Sequence, residues 1–384
     1  MHPRIIALRQ VPALVFGSGS IANCREHLQA TGAKRILAIT SPSNRVYAIT
    51  LLDGGFAQTL IDDSIRTEPT VSIFSNTLAR ARSFAPDLII GVGGGSPLDV
   101  AKLIAALASS TQSIQDVFGI GNLTGRGLPL ICVPTTAGTG SEVSPNAILL
   151  DESEQMKKGV ISPHLVPDAT FIDPELMRTV PAHVTAATGL DALTHCIEAY
   201  ANNFAHPMID TWALDGIRLI AGSLVTATRE PNNLAAREEV ALGSLYGGLC
   251  LGPVNTAAVH ALSYPLGSRY HVPHGHANAI LMPHVCRFNL AAAPDRYSSI
   301  ALALGAQTQG SQEATALAGI ENLWQLIRDT GLEMNLSRIN VPRADIPAMA
   351  AAGINVTRLM KNNLRPMTQA DAEAIYHAAF RDHN

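Results

Sequence analysis

The stretch Leu88-Ile89-Ile90-Gly91-Val92-Gly93-Gly94-Gly95-Ser96-Pro97-Leu98-Asp99 reads as a strand, a glycine turn and a helix start in immediate succession. Ser96 suits an N-cap, Pro97 the first helical position, and Asp99 can return a hydrogen bond as in a capping box. A helix N-terminus then faces glycines that carry no Cβ, so a pyrophosphate could approach the backbone and take free N–H groups backed by the helix dipole. A tight strand-to-helix turn with no ligand has the same sequence appearance, because the run is neither G-x-G-x-x-G nor G-x-x-x-x-G-K-[ST].

Outward from this turn the rhythm repeats. Val11 to Gly17, Arg35 to Thr40, Asp87 to Val92 and Leu128 to Pro134 read as strands, and Ser20 to Gln29, Val71 to Ser83 and Pro97 to Ser109 as the helices between them. That alternation is the mark of an α/β domain with a parallel sheet. Pro134-Thr135-Thr136-Ala137-Gly138-Thr139-Gly140-Ser141-Glu142-Val143 adds a second polar turn at a strand's C-terminal end, where open α/β sheets bind ligands. After Pro181 the pattern becomes helical throughout: Val184 to Tyr200, Met208 to Thr226, Leu234 to Leu251, Ala257 to Pro265, Ser311 to Thr330 and Thr368 to Phe380. The boundary falls between Asp173 and Pro181, giving an α/β domain over 1–180 and an all-α domain over 181–384.

Composition excludes several classes. The 384 residues are 47% hydrophobic and 15% charged, which describes a chain with cores to bury rather than a disordered one. Lys and Arg number 27 against 31 Asp and Glu, a net charge of −4, with no dense basic run to bind nucleic acid or an anionic membrane. Val240 to Ser268 lacks charge and has the length of a membrane span. Pro253, Asn255, His260, Tyr264 and Pro265 instead point to a buried, interrupted helical region. Five scattered cysteines without a C-x-x-C pair read as reduced thiols, and Met1-His2-Pro3-Arg4 opens no secretory signal, so a cytoplasmic location is expected.

Asp191-Ala-Leu-Thr-His195 lies in a helical segment, and its i, i+4 spacing stacks carboxylate and imidazole on one face. The pair can be two ligands of one ion or a simple helix ion pair. His260 and His274 stand in polar breaks of an otherwise apolar region, and three imidazoles with one carboxylate suit a first-row divalent ion with a position left for substrate oxygen. Among the thirteen histidines, His2, His27, His206, His377 and His383 read as surface residues.

Together, Val15 to Ser20, Gly93 to Ser96 with Asp99, Pro134 to Glu142, Phe171 to Leu176, Ala187 to His195, and His260 with His274-Gly275 resemble the iron-containing (group III) alcohol dehydrogenase family over nearly the whole chain. The resemblance implies a doubly wound, Rossmann-like N-terminal domain for NAD or NADP, an all-α C-terminal domain, and a divalent ion in the cleft between them, in the fold shared with dehydroquinate synthase. By position it implies Asp191, His195, His260 and His274 as ligands of iron, or of zinc. It implies Gly94, Gly95 and Ser96 at the pyrophosphate, with Asp99 also among the cofactor-binding residues, Thr135, Thr136, Thr139 and Ser144 on the cofactor-facing turn, Lys157 at the nucleotide and Asn146 near the reacting carbon.

Departures bear on the substrate. Ser41, with Arg45 nearby, stands where the family often has an Asp that binds the adenosine ribose, so NADP is admitted. Glu68-Pro69 replaces Asn-Pro near the nicotinamide. Tyr264 replaces a histidine assigned to proton relay, leaving His271 or a ribose hydroxyl as the proton route. The expected activity is hydride transfer between NAD(P) and an alcohol/aldehyde or ketone pair, in a homodimer or larger homo-oligomer. The alternatives are a reductase or transhydrogenase for an acidic substrate, resembling maleylacetate reductase or hydroxyacid–oxoacid transhydrogenase, with Arg269 as the candidate cation, and a metal- or nucleotide-binding protein without turnover.

Overall fold

The computed structural model describes residues 5–382, so His2 and His383 lie outside the described residues. The chain divides into two compact units, Leu8–Thr179 and, with residues 5–7, the chain from Val180 onward.

The first unit is built on six parallel strands. These are β1 (Ala13–Phe16), β2 (Arg35–Thr40), β3 (Gln58–Asp62), β4 (Leu88–Gly93), β6 (Leu130–Pro134) and β9 (Ala169–Ile172), in the order β1-β9-β6-β4-β2-β3. The remaining strands, β5 (Gly119–Ile120), β7 (Asn146–Asp151) and β8 (Met156–Ile161), form a small second sheet in which β7 and β8 are an antiparallel pair. β2 shows why the main sheet is buried on both faces. Ile36 and Ala38 enter one apolar layer with Cys24 and Leu28 of α1 (Ser20–Ala30) and Leu51 of α2 (Arg45–Leu52). Leu37 and Ile39 enter the other layer with Phe74 of α3 (Val71–Phe84) and Leu103 of α4 (Gly95–Leu107). Strict alternation of apolar side chains therefore feeds helices on both faces, the doubly wound arrangement.

The sheet also brings the two polar turns together. Gly93 and Pro134 are register partners at the ends of adjacent β4 and β6, so the glycine turn and the Thr-rich turn leave the sheet side by side. Asp173 ties a third turn in, accepting from the Gly19 and Ile21 amides at 3.2 and 3.1 Å.

The capping expected around Ser96 is not what forms. The helix starts two positions earlier, with Gly94 as N-cap and no side-chain cap, leaving Ser96 second and Pro97 third in α4. A Cβ on Gly95 would lie 2.6 Å from Thr139 Cγ2, so the packing of the neighbouring turn admits the helix only because Gly95 opens it. Asp99, freed from capping, accepts instead from Ser141 Oγ and from the Ile148 amide at 2.9 Å, fastening α4 to the second turn and to β7.

The second unit is helical. After the four-residue α5 (Ile114–Val117) of the first unit come α6 (Ala182–Tyr200), α7 (Pro207–Arg229), α8 (Leu234–Leu251), α9 (Ala258–Tyr270), α10 (His274–Leu290), α11 (Pro294–Ala303), α12 (Gln312–Thr330), α13 (Ile346–Ile354), α14 (Thr357–Met360) and α15 (Gln369–Ala378). α6 is the central rod: every residue from Gly189 to Tyr200 is buried. The uncharged stretch breaks between α8 and α9, and no helix among the described residues is long and apolar enough to cross a membrane. Pro265 does not end α9, which continues to Tyr270. Packing against α13, where a Cβ on Gly353 would meet Leu262 Cδ2 at 2.7 Å, overrides the local preference of proline.

Candidate metal centre and cofactor turn

Glycines and alanines set how closely helices approach α6. A Cβ on Gly247 of α8 would lie 3.1 Å from Ala192 O and 3.2 Å from His195 Cβ, and one on Gly275 of α10 only 2.0 Å from Ala187 O. The tight packing places four side chains at one point. Asp191 Oδ1 lies 3.7 Å from His195 Nε2, 3.5 Å from His260 Nε2 and 3.7 Å from His274 Nε2. Candidate ligand atoms of Asp191, His195 and His260 all fall within 4.8 Å of one another. The His195 and His260 rings stack with centroids 4.9 Å apart, and His274 meets His260 edge-on at 5.2 Å.

Two residues that the sequence reading passed over orient this cluster. Glu198, one turn beyond His195 on the same face of α6, is buried. It accepts from the Ala257 and Val259 amides at 3.0 and 2.6 Å, and it lies 2.6 Å from His260 Nδ1. The carboxylate thus caps α9 and accepts from His260 Nδ1–H, so that in the neutral, ligand form of the ring the Nε2 lone pair faces Asp191. Asn278, fully buried on α10, donates through Nδ2 to Asp191 Oδ1 at 2.7 Å and lies 3.2 and 3.4 Å from Nε2 of His260 and His274. Its Oδ1 is buried with no hydrogen-bond partner.

A divalent ion fits this donor set. A buried carboxylate oxygen and three imidazole nitrogens converge, a donor set that one shared cation satisfies. The electrostatics agree. Burial alone would raise Asp191, yet His195 and His274 hold it well below the usual carboxylate range. Burial alone would lower His260, yet Asp191 and Glu198 push it up to about 10. The site is a well for positive charge.

His271 is not brought into the cluster. It is the exposed, left-handed C-cap of α9 at φ 57°, and none of its side-chain contacts among the described residues reaches the four. Tyr264 does adjoin them, its ring centroid 6.1 Å from that of His274.

In the first unit, the glycine and Thr turns interlock. A Cβ on Gly94 would lie 3.2 Å from Thr136 Oγ1, and the Thr135 amide donates to Gly93 O at 3.0 Å. Beneath them lies Lys102, fully buried, donating to Ser141 O at 2.9 Å, Ser144 O at 2.8 Å and Asn146 O. A lysine in the apolar run Val100 to Leu107 is the signal that could have found it. It sits one turn from half-buried Asp99 and gathers the three carbonyls that shape the second turn. Asn146 Oδ1 is buried without a partner and so remains an available acceptor. Ser41 Oγ contacts Ser43 Oγ at 3.0 Å and accepts from Asn44 Nδ2 at 2.9 Å, while Arg45 pairs with Asp63 at 3.1 Å. Lys157 is buried and paired with Glu68.

Glu142 gives a pH prediction. Burial raises its carboxyl from an ordinary 4.5 to about 7. Its native state therefore keeps a proton that the unfolded chain releases, so stability falls as pH rises from about 4.5 to about 7, by about 3 kcal/mol in all. Glu142→Gln removes that loss. Its melting temperature should exceed the parent's at pH 8 and match it near pH 4, and a constant difference at both pH values would refute the account.

The two units each match a family description: "Iron-containing alcohol dehydrogenase" over residues 12–174, and "Fe-containing alcohol dehydrogenase family, C-terminal" over 185–380. The chain is 37% identical over 384 residues to Long-chain-alcohol dehydrogenase 1 of Geobacillus thermodenitrificans, covering 96% of this chain and 95% of that protein. It is 32% identical over 373 residues to lactaldehyde reductase of Escherichia coli K12, covering 95% and 97%. A crystal structure of 1,3-propanediol oxidoreductase superposes with a TM-score of 0.94 at 34% identity, over 98% of this chain and all of that one.

Proposed function

As the chain belongs to the iron-containing alcohol dehydrogenase family, we propose that it moves a hydride between NAD(P) and an alcohol/aldehyde or ketone pair, with a divalent ion held by Asp191, His195, His260 and His274. The observation that carries this reading is the convergence of Asp191 Oδ1 with three imidazole Nε2 atoms on one buried point. Bound there, the ion would supply Lewis acidity to the substrate oxygen. Either iron or zinc suits three nitrogens and one oxygen, and supply decides between them.

The chain's own part is to bind and orient. Glu198 holds His260 in the tautomer that presents Nε2, and Asn278 holds Asp191 Oδ1 in place. Tyr264 offers a hydroxyl beside His274, the least buried ligand. Gly94, Gly95 and Ser96 at the start of α4 offer amides to the pyrophosphate, and Thr135, Thr136 and Thr139 flank them. Asn146 offers its unpartnered Oδ1. Lys102 and Asp99 keep the second turn in shape from below, so we assign Asp99 to positioning rather than to contact with the nucleotide. Ser41 brings no carboxylate against a 2′-phosphate, which favours use of NADP as well as NAD. We also place the protein in the cytoplasm, supported by five buried free thiols, and expect a homo-oligomer by kinship.

The test follows nicotinamide absorbance in both directions over a panel of alcohols, aldehydes and ketones, with NAD and NADP, in iron(II), zinc or chelator. Metal-dependent turnover is expected with both cofactors, and Ser41→Asp should shift preference toward NAD. Turnover that survives exhaustive chelation would refute the reading.

A further inference from the structure

The metal-centre residues are unequally covered. Side chains of Asp191, His195 and His260 keep 3–5% exposure, while His274 keeps 31%. Within this unit the cluster is therefore open on the His274 side, and the side chain next to His274 there is Tyr264. Arg358 of α14 reaches the same place. Its Nη2 donates to Tyr264 Oη at 2.7 Å, and its guanidinium carbon lies 5.8 Å from the Tyr264 ring centre. Arg358 forms no ion pair with any carboxylate among the described residues, whereas Arg45, Arg80, Arg126, Arg178 and Arg218 all do. Of five donors in a planar fork, Tyr264 occupies one. Half-buried in α14, beside buried Leu359 in the chain, the group is a positive charge with four of its five donors unspent.

Resting on the function proposed above, we propose that Arg358 recognises the anionic end of the substrate, and that the substrate class is an ω-hydroxy or ω-oxo acid. A guanidinium fork matches a carboxylate in geometry and charge, and such pairs are stronger than neutral hydrogen bonds. Tyr264 adjoins both groups: its ring centroid lies 6.1 Å from that of His274 and 5.8 Å from the guanidinium carbon of Arg358. A substrate that carries its carboxylate several methylenes from the reacting carbon can lie along the apolar face of Tyr264 between them. Tyr264 thus anchors Arg358 and supplies a greasy wall.

The experiment compares kcat/KM for ω-hydroxyhexanoate and hexanol in the parent enzyme, Arg358→Met and Arg358→Lys, loaded with the same metal. The ratio within each protein is the readout. The parent should favour the hydroxy acid by about 10- to 100-fold, Met should erase the preference, and Lys, which keeps the charge without the fork, should fall between. A parent ratio near one, or a preference that survives Met, overturns the proposal. A second arm needs no turnover: saturation-transfer NMR on metal-free protein with hexanoate should show contact in the parent that is lost in Arg358→Met, and equal signals would overturn it. Failure of both alcohols to react with that NMR contact intact would count against the proposed reaction and leave the anion site standing.

Discussion

His260→Ala is expected to lose its divalent ion on dialysis and to lower kcat/KM by about 10³-fold or more, the scale of several kcal/mol of Lewis-acid stabilisation. The ring supplies one of the four converging atoms, and nothing among its neighbours can replace it. Glu198 would keep the Ala257 and Val259 amides but lose its imidazole partner, and Asp191 would lose one of the three rings that hold its charge. The apo variant should therefore also be less stable, by about 1–3 kcal/mol, since a buried carboxylate is left with a missing donor. Nucleotide affinity should stay within about twofold, because the glycine turn belongs to the other unit and shares no partner with His260. Metal content by elemental analysis, kcat/KM and NADH affinity by fluorescence check the three parts separately. Parallel loss of nucleotide binding would mean that the cofactor residues and metal residues have been assigned to the wrong roles.

The parts of this protein that were legible in the sequence are those whose physics is local. β2 was readable from Arg35 to Thr40 because both of its faces are apolar, and α8 from Leu234 to Leu251 because its Ala- and Leu-rich run meets no proline before Pro253. The i, i+4 spacing of Asp191 and His195 needs only a helix. What brings His260 and His274 to them is the approach of α9 and α10 to α6, which depends on glycines distant in sequence. What bears on the choice between a metal pair and a helix ion pair is therefore tertiary packing, which the spacing alone does not carry. Glu198 was invisible for a similar reason: its partners are an imidazole 62 positions away and two amides at the start of another helix. The Ser96 cap did not form because the helix begins earlier, at Gly95, where only a glycine fits beside Thr139 of another turn. Arg358 lies 94 positions from Tyr264, and no periodic pattern marks it.

Gly275 is where this tertiary dependence can be tested most sharply. A Cβ there would lie 2.0 Å from Ala187 O and 2.7 Å from Ala187 C, both backbone atoms of α6, and 3.1 Å from Asp191 Cβ. No side chain can swing aside to make room, so Gly275→Ala must push α10 away from α6. His274 is the adjoining residue, on α10, and Asp191 is on α6, so the same displacement separates two of the four converging atoms. Overpacking of this kind costs about 1–3 kcal/mol, which for a unit of this size lowers the melting temperature by about 5–10 °C. The diagnostic quantity is the metal's own contribution, the difference in melting temperature between saturating zinc and chelator. A ligand that binds only the native state stabilises it in proportion to its affinity, so this increment should shrink or vanish in Gly275→Ala. Gly222→Ala is the comparison. Gly222 lies in α7 with open space around its would-be Cβ, and alanine there should raise stability slightly and leave the increment intact. If Gly275→Ala keeps the full metal increment, close contact between α6 and α10 does not set the geometry of the centre, and His274 is not held to Asp191 in the way the packing implies.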